Sequence, residues 1–151
     1  MTSKKIINSS HIETLLSCPF VHHVRGRCEK FRINFSLSLT SDCLCLSDGD
    51  TTDGFFDPPT RTSPGTLCLS VMGKELSEIY HTLAHEFCHL EQWVRDDALW
   101  VKWMKRSTRK ATLALERRTE EEALEMLKRW NLYDDSMLDR KNKYLRRLEN
   151  L

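Results

Sequence analysis

Two histidines four residues apart, with a glutamate directly after the first, make up His85-Glu86-Phe87-Cys88-His89. On an α-helix, positions i and i+4 stack on one face. Both imidazoles can then turn a nitrogen toward one metal ion, and Zn²⁺ accepts such ligands in tetrahedral geometry. Glu86 is rotated about 100° around the helix from His85. That puts it outside the ligand pair but within reach of a metal-held water, where a general base for hydrolysis belongs. Leu83, Ala84, Phe87, Cys88 and Leu90 around these residues are uncharged. They suit a helix buried under a sheet, in which partly buried His and Glu side chains need partners.

Catalytic zinc takes three protein ligands and keeps a position open for water. No histidine follows His89 and no cysteine follows Cys88. This excludes zincins whose third ligand is a downstream histidine, the metzincins and the SprT-like group among them, and leaves a downstream carboxylate. Glu91, Asp96 and Asp97 lie too close to the motif to fold back onto the ion. The run Glu120-Glu121-Glu122-Ala123-Leu124-Glu125 belongs to a separate helical stretch that can pass antiparallel over the motif helix. Three consecutive glutamates also read as an exposed acidic face, so at least one of them faces solvent.

The elements that must position these residues divide at Gly73. All five glycines and all four prolines lie at or before it, so residues 74–151 are expected to be helical. The chain is expected to be one α+β domain of 151 residues, with residues 1–73 mainly strands and loops in a small antiparallel or mixed sheet. Ser10-His11-Ile12-Glu13 reads as a capping box opening a short helix that Pro19 limits. Phe31, Ile33, Phe35, Leu37 and Leu39 alternate with polar residues, a half-buried strand. Cys43–Ser47 is expected to pair with it after a turn at Ser41-Asp42. Residues 48–64 read as a loop. Its Asp48, Asp50 and Asp53 miss the calcium-loop spacing, and Phe55-Phe56 are expected to anchor it in the core. Gly65–Gly73 reads as a strand running into a motif helix that starts near Glu75 or Leu76. Asp96 or Asp97 is expected to cap a helix through Trp100, Val101 and Met104. A long helix over residues 108–130 and a last one capped by Asp134 or Asp135 complete the half.

Hydrophobic content of 40%, charged content of 30% and a net charge of +1 describe a soluble globular protein and favour no particular partner. Met1–Phe20 lacks the apolar run of a secretory signal, and nothing approaches the roughly 18 apolar residues of a membrane span. The expectation is therefore a cytoplasmic protein without membrane association, compatible with a phage or viral source. The six cysteines are then expected to be reduced and mostly buried. Cys18, His22, His23 and Cys28 can be drawn as a second metal site, but their spacing matches no zinc knuckle or finger. Lys102, Lys105, Arg106, Arg109 and Lys110 form a basic stretch near Trp100 and Trp103. A solvated face with the tryptophans turned inward is favoured there over a nucleic-acid surface.

A strand, then Thr82 to His89, Gln92, and Glu120 to Ala123 together resemble a gluzincin-type HExxH zinc metallopeptidase of the small bacterial and phage kind, with the general plan of ImmA/IrrE-like proteases. The resemblance covers roughly residues 66–130. It differs at Glu91, where an apolar residue is usual, and at Leu124, where several such families have Asp. It implies a zincin-like fold, one Zn²⁺ held by His85, His89 and Glu120, and Glu86 as general base. Glu121 is the second choice of ligand, with Glu125 then oriented to hydrogen-bond a ligand histidine. The implied substrate is a protein or peptide that adds in extended form to a sheet-edge strand, the strand before the motif helix. The implied oxyanion donor is a Tyr or His. Tyr80 and Tyr133 are the candidates, while His81 is expected to be a surface residue. The rival readings are a catalytically inactive zincin-like scaffold, regulatory or part of a virion, and a nucleic-acid-binding module.

Overall fold

The computed structural model describes residues 9–40, 43–46 and 51–151. The turn at Ser41-Asp42 and the residues Ser47, Asp48 and Asp50 lie outside them. The order of elements is α1 (Ser9–Ser17), α2 (Pro19–Lys30), β1 (Ile33–Ser38), β2 (Leu44–Cys45), β3 (Thr51–Thr52), β4 (Gly54–Asp57), β5 (Gly65–Ser70), α3 (Leu76–Val94), α4 (Ala98–Lys105), α5 (Arg109–Arg129) and α6 (Asp135–Glu149). This is an α+β fold, a three-stranded mixed sheet followed by a largely helical half.

The N-terminal part opens on two helices rather than on strands. Pro19 ends α1 and also starts α2, where its fixed φ and missing N–H cost nothing in the first turn. Phe20, Val21, Val24 and Cys28 then bury one face of α2. The alternating segment forms β1 as expected, but its neighbour is not Cys43–Ser47. β1 pairs in parallel with β5, Ile33 opposite Gly65 and Ser38 opposite Ser70. Leu44–Cys45 pairs instead with β3, in a separate two-stranded ribbon. A parallel pair needs a long crossover, and the chain between β1 and β5 supplies it.

The stretch expected to be a plain loop carries two strands, β3 and β4. β4 pairs antiparallel with β5, giving the sheet order β1-β5-β4. β5 is therefore central and not at the edge. Its Leu67 and Leu69 are fully buried, and a strand covered on both sides is apolar enough to lie between two others. The edge nearest α3 is β4. Gly54 lets it come close, because a Cβ there would stand 2.8 Å from Thr82 Cγ2 and 2.9 Å from Leu69 Cδ2. Phe56 is the anchor expected of this segment, buried against Trp93 and Trp100 with centroids 6.2 and 5.9 Å away.

The helical half is divided without glycine or proline. After α3 the chain turns at Asp96, with φ 50°, where Asp96 N–H donates to Trp93 O and Asp97 N–H to Gln92 O. After α5 it turns at Asn131, with φ 58°, and Asn131 and Leu132 donate to Lys128 O and Leu127 O. Both are Schellman turns, and Asp and Asn tolerate the left-handed position better than other side-chain-bearing residues. The next helices begin on side-chain caps: Asp97 accepts from Leu99 N–H, Thr108 from Ala111 N–H and Asp134 from Ser136 N–H. α3 lies between the sheet and α5. Ile79, Leu83 and Leu90 of α3 and Leu115, Ala123 and Leu127 of α5 are among the most deeply buried residues of the core.

Glu91, charged where an apolar residue is usual, is matched across α2. Arg27 Nε and Nη2 donate to its two carboxylate oxygens at 2.7 and 2.8 Å. The expected cap Asp97 also does more than cap α4, because its second oxygen accepts from Arg95 and Arg118. Burial works against the Asp97 charge, but Arg118, the Leu99 N–H and Arg95 outweigh it and hold the carboxyl below its ordinary value. The sign follows. The group stabilises the fold in full above the unfolded value of about 4, and the contribution is lost as pH falls through the lower folded value. Asp97→Asn should cost about 1–3 kcal/mol in denaturant melts above about pH 5, and the gap from wild type should close progressively below about pH 4. A pH-independent gap would assign the loss to packing.

Candidate metal centre

The residues that meet on α3 and α5 are His85, His89 and Glu116, whose ligand atoms all lie within 4.8 Å of one another. Among the described residues no other three His, Cys, Asp or Glu side chains form such a group. Two helical turns are enough. His85 and His89 stack at i and i+4 on α3 with rings 4.8 Å apart, and α5 crosses so that Glu116 faces both. Glu116 Oε2 stands 2.8 Å from His85 Nε2 and Oε1 stands 3.4 Å from His89 Nε2.

The far sides of both rings are held. Gln92 Oε1 accepts from His89 Nδ1 at 2.9 Å, and the Gln92 amide donates to Thr119 Oγ1 at 3.0 Å. Glu120 Oε2 stands 3.5 Å from His85 Nδ1 and 3.0 Å from His81 Nε2. Arg140 Nε faces His81 Nδ1 at 3.4 Å. A guanidinium only donates, so Nδ1 of His81 is the acceptor and Nε2 carries the proton given to Glu120. His85 and His89 thus each have Nδ1 directed to a side-chain oxygen and Nε2 directed to the common point. That division, one nitrogen for the metal and one for an orienting acceptor, is general at metal-ligating histidines.

Whether a cation fits can be judged at Glu116. Its Oε2 is buried and lacks a well-aligned hydrogen bond, although it stands 2.8 Å from His85 Nε2. Burying an unsatisfied carboxylate oxygen is costly, and a cation between it and the two Nε2 atoms removes the deficit. The donor set is two imidazoles and a carboxylate, which matches three-ligand zinc sites with an open position. The charges are tightly linked. Burial raises the Glu116 carboxyl, but His85 and His89 outweigh it and bring the group far below its ordinary value. Burial lowers His85, but Glu116, Glu120 and Glu86 raise it well above its usual range.

Glu120, the carboxylate expected to complete the site, is therefore near the centre but on its outer side, against the Nδ1 atoms and not the Nε2 atoms. The nearer carboxylate is one helical turn earlier. The signal was available in phase: Glu116 and Glu120 fall on the stripe of α5 that also carries Thr119, Ala123 and Leu127 toward the core, whereas Glu121 and Glu125 are exposed. Glu122 bonds Arg95 and Arg118. His81, expected at the surface, is 6% exposed. Cys18, His22, His23 and Cys28 do not converge. The basic stretch from Lys102 to Lys110 is exposed, with Trp100 buried and Trp103 donating to Thr112 Oγ1.

Glu86 opens onto a cleft of about 460 Å³ bounded by β3 and β4 on one side and α6 on the other, with His81, Thr82, His85 and Glu120 on its floor. Burial raises the Glu86 carboxyl; His85 and His89 oppose this, and the net direction is upward. Tyr144 of α6 also lines the cleft, its ring 5.7 Å from that of His85 and perpendicular to it. Burial and then Glu116, Glu86 and Glu120 push its phenol up, so it stays protonated as a donor. Nothing local marked this tyrosine, since it comes from the last helix. Tyr80, by contrast, is buried beside Cys18, and Tyr133 lies under Lys128. No family model matches this chain, and no curated protein or solved structure matches it. No described helix is long and apolar enough to cross a membrane.

One equivalent of a divalent cation such as Zn²⁺ should bind and raise the melting temperature, the gain reaching about 2.7 kcal/mol at a hundredfold excess over Kd. Glu116→Ala should abolish that shift, and Glu120→Gln should retain it with about 10–100-fold weaker affinity. Metal content by mass spectrometry and thermal melts with added zinc check both. Retained tight binding in Glu116→Ala with loss in Glu120→Ala would exchange the two roles.

Proposed function

We propose that this chain is a zinc-dependent metallopeptidase of the gluzincin type, with His85, His89 and Glu116 as metal ligands and Glu86 as general base. The observation that carries the reading is the paired arrangement of the two histidines. Both Nε2 atoms face Glu116, and both Nδ1 atoms are held by side chains, Gln92 of the same helix at His89 and Glu120 of α5 at His85. A Zn²⁺ ion bound there supplies a polarised carbonyl and a water acidic enough to lose its proton near neutral pH.

The chain's own residues supply the rest. Glu86 sits beside His85 but outside the ligand set, with its carboxylate on the cleft, where it takes a proton from water and returns it to the leaving amine. The raised Glu86 carboxyl makes it the stronger base for the first of these transfers. Tyr144 offers a protonated phenol to the oxygen on which negative charge develops. Glu120 and Gln92 keep the imidazoles in one tautomer and one orientation, so no reorganisation is needed during the reaction. The edge of β4 that pairs with no described strand lies alongside, brought against α3 through Gly54 and Thr82. An extended peptide can pair with that edge through its backbone and be recognised without a deep side-chain pocket.

Zinc-loaded protein should cut a quenched fluorescent peptide mixture. Glu86→Gln should bind zinc normally yet lose about 10²–10⁴-fold in rate. Tyr144→Phe should retain zinc and lose on the order of 10²-fold in kcat with little change in KM. Hydrolysis that survives Glu86→Gln unchanged, or a wild type that holds one zinc and cuts nothing, would overturn the reading in favour of a non-catalytic metal-binding scaffold.

A further inference from the structure

The wall of the cleft opposite β4 is α6, and its cleft-facing side carries only one sign of charge. Arg140, Lys143, Tyr144 and Arg147 line the cleft. At positions i, i+3, i+4 and i+7 they form a single stripe along the helix. The acidic residues of the same helix, Asp135, Asp139 and Glu149, do not line it.

The innermost cation is committed to the fold. Arg140 donates to Ser77 Oγ at 2.7 Å and to Ser136 Oγ at 3.1 Å, and it faces His81 at 3.4 Å. Lys143 and Arg147 are exposed and make no ion pair among the described residues. Across the cleft, Lys74 is matched by Asp53 at 3.2 Å. On the floor, Glu120 is matched by His81 and His85. Among the described residues, Glu78 is thus the remaining lining carboxylate outside the centre, set against two cations without an ion pair.

We propose that the cleft selects acidic peptide segments, an extended chain along β4 presenting Asp or Glu side chains to Lys143 and Arg147. The proposal rests on the peptidase reading above and names its substrate class. Two observations favour a peptide over a nucleic acid. Tyr144, the aromatic residue of the stripe, packs edge-on against His85 and is not free to stack on a base. The carboxylates of Glu78, Glu86 and Asp53 on the same cleft oppose a backbone with one phosphate charge at each step, whereas a peptide can place its charges only on the α6 side.

The test uses full-length, zinc-supplemented protein carrying Glu86→Gln and two fluorescein-labelled, C-terminally amidated decapeptides, one with several Glu residues and one with Gln in their place. Fluorescence anisotropy should show the Glu peptide binding about tenfold tighter, with a preference that shrinks between low and high salt. Lys143→Glu combined with Arg147→Glu should remove or invert the preference, with an unchanged circular dichroism spectrum and melting temperature, as expected for exposed positions. Equal binding of the two peptides would overturn the proposal. So would a preference that survives both charge reversals, or a single-stranded oligodeoxynucleotide of equal charge that displaces the Glu peptide at lower concentration. Cleavage by the wild type is read separately. Discrimination in binding with no cleavage of either peptide by the wild type sinks the peptidase reading and leaves an acidic-peptide binding site. Equal cleavage of both keeps the peptidase and removes the preference.

Discussion

The crossing of α3 and α5 is the contact on which the rest of this molecule depends. It buries two glutamates, Glu116 and Glu120, against three histidines of one helix face, His81, His85 and His89. Isolated, each of these charges would be expensive in a nearly dry interior. Together they are acceptable only in one arrangement, with each carboxylate set against two imidazoles. The apolar residues around them, Leu83, Ala84, Leu115 and Ala123, make the approach close, and Ala123 keeps α5 from being held away by a larger side chain. Packing brings the helices together, and the polar set decides the register in which they meet.

Much of this is legible in the sequence. The HExxH spacing locates α3 and two members of the centre. The glycine and proline distribution separates the sheet half from the helical half, and the acidic pairs Asp96-Asp97 and Asp134-Asp135 mark where two of the later helices begin, the second residue of the first pair and the first of the second being the caps. What was not legible has a common physical origin. The choice between Glu116 and Glu120 depends on how far along α5 the crossing falls, and one helical turn of displacement exchanges them. Both lie on the same stripe, so periodicity alone cannot separate them. Tyr144 reaches the cleft because α6 doubles back beside α3, a consequence of the Asn131 turn and not of any pattern near the tyrosine. The position of β5 at the centre of the sheet depends on a β-strand of four residues, Gly54–Asp57, too short to rise above a stretch rich in Asp, Thr and Pro.

The cleft is accordingly assembled from pieces far apart in the chain, and close approaches at small residues join them. Gly54 is the clearest case. With any side chain there, β4 would be pushed off Thr82, and that edge of the sheet would move away from His85, one helical turn or less beyond Thr82. A threonine at that position also spares the helix a bulkier contact. The same economy appears at Glu91. A charge on the sheet-distal side of the motif helix is tolerated because Arg27 of α2 meets it with two hydrogen bonds, a geometry that only a guanidinium and a carboxylate supply. An unusual residue in the motif's flank is therefore the trace of a tertiary contact with α2.

The division of labour between Glu116 and Glu120 follows from the order of charges across the site. From the rim inward the sequence is Arg140, His81, Glu120, His85 and Glu116. Arg140 forces the proton of His81 onto Nε2, and that proton engages Glu120. Glu120, so engaged, faces Nδ1 of His85 and leaves Nε2 as the side turned to Glu116. The final carboxylate stands against both Nε2 atoms, and its buried Oε2 lacks a well-aligned hydrogen bond there. A carboxylate and two Nε2 atoms converging on one point are what a cation site requires, and Gln92 orients His89 from one turn along the same helix. Glu120 cannot take the place of Glu116 without releasing His81 and turning His85, so the nearer glutamate stands at the Nε2 atoms and the expected one behind the rings.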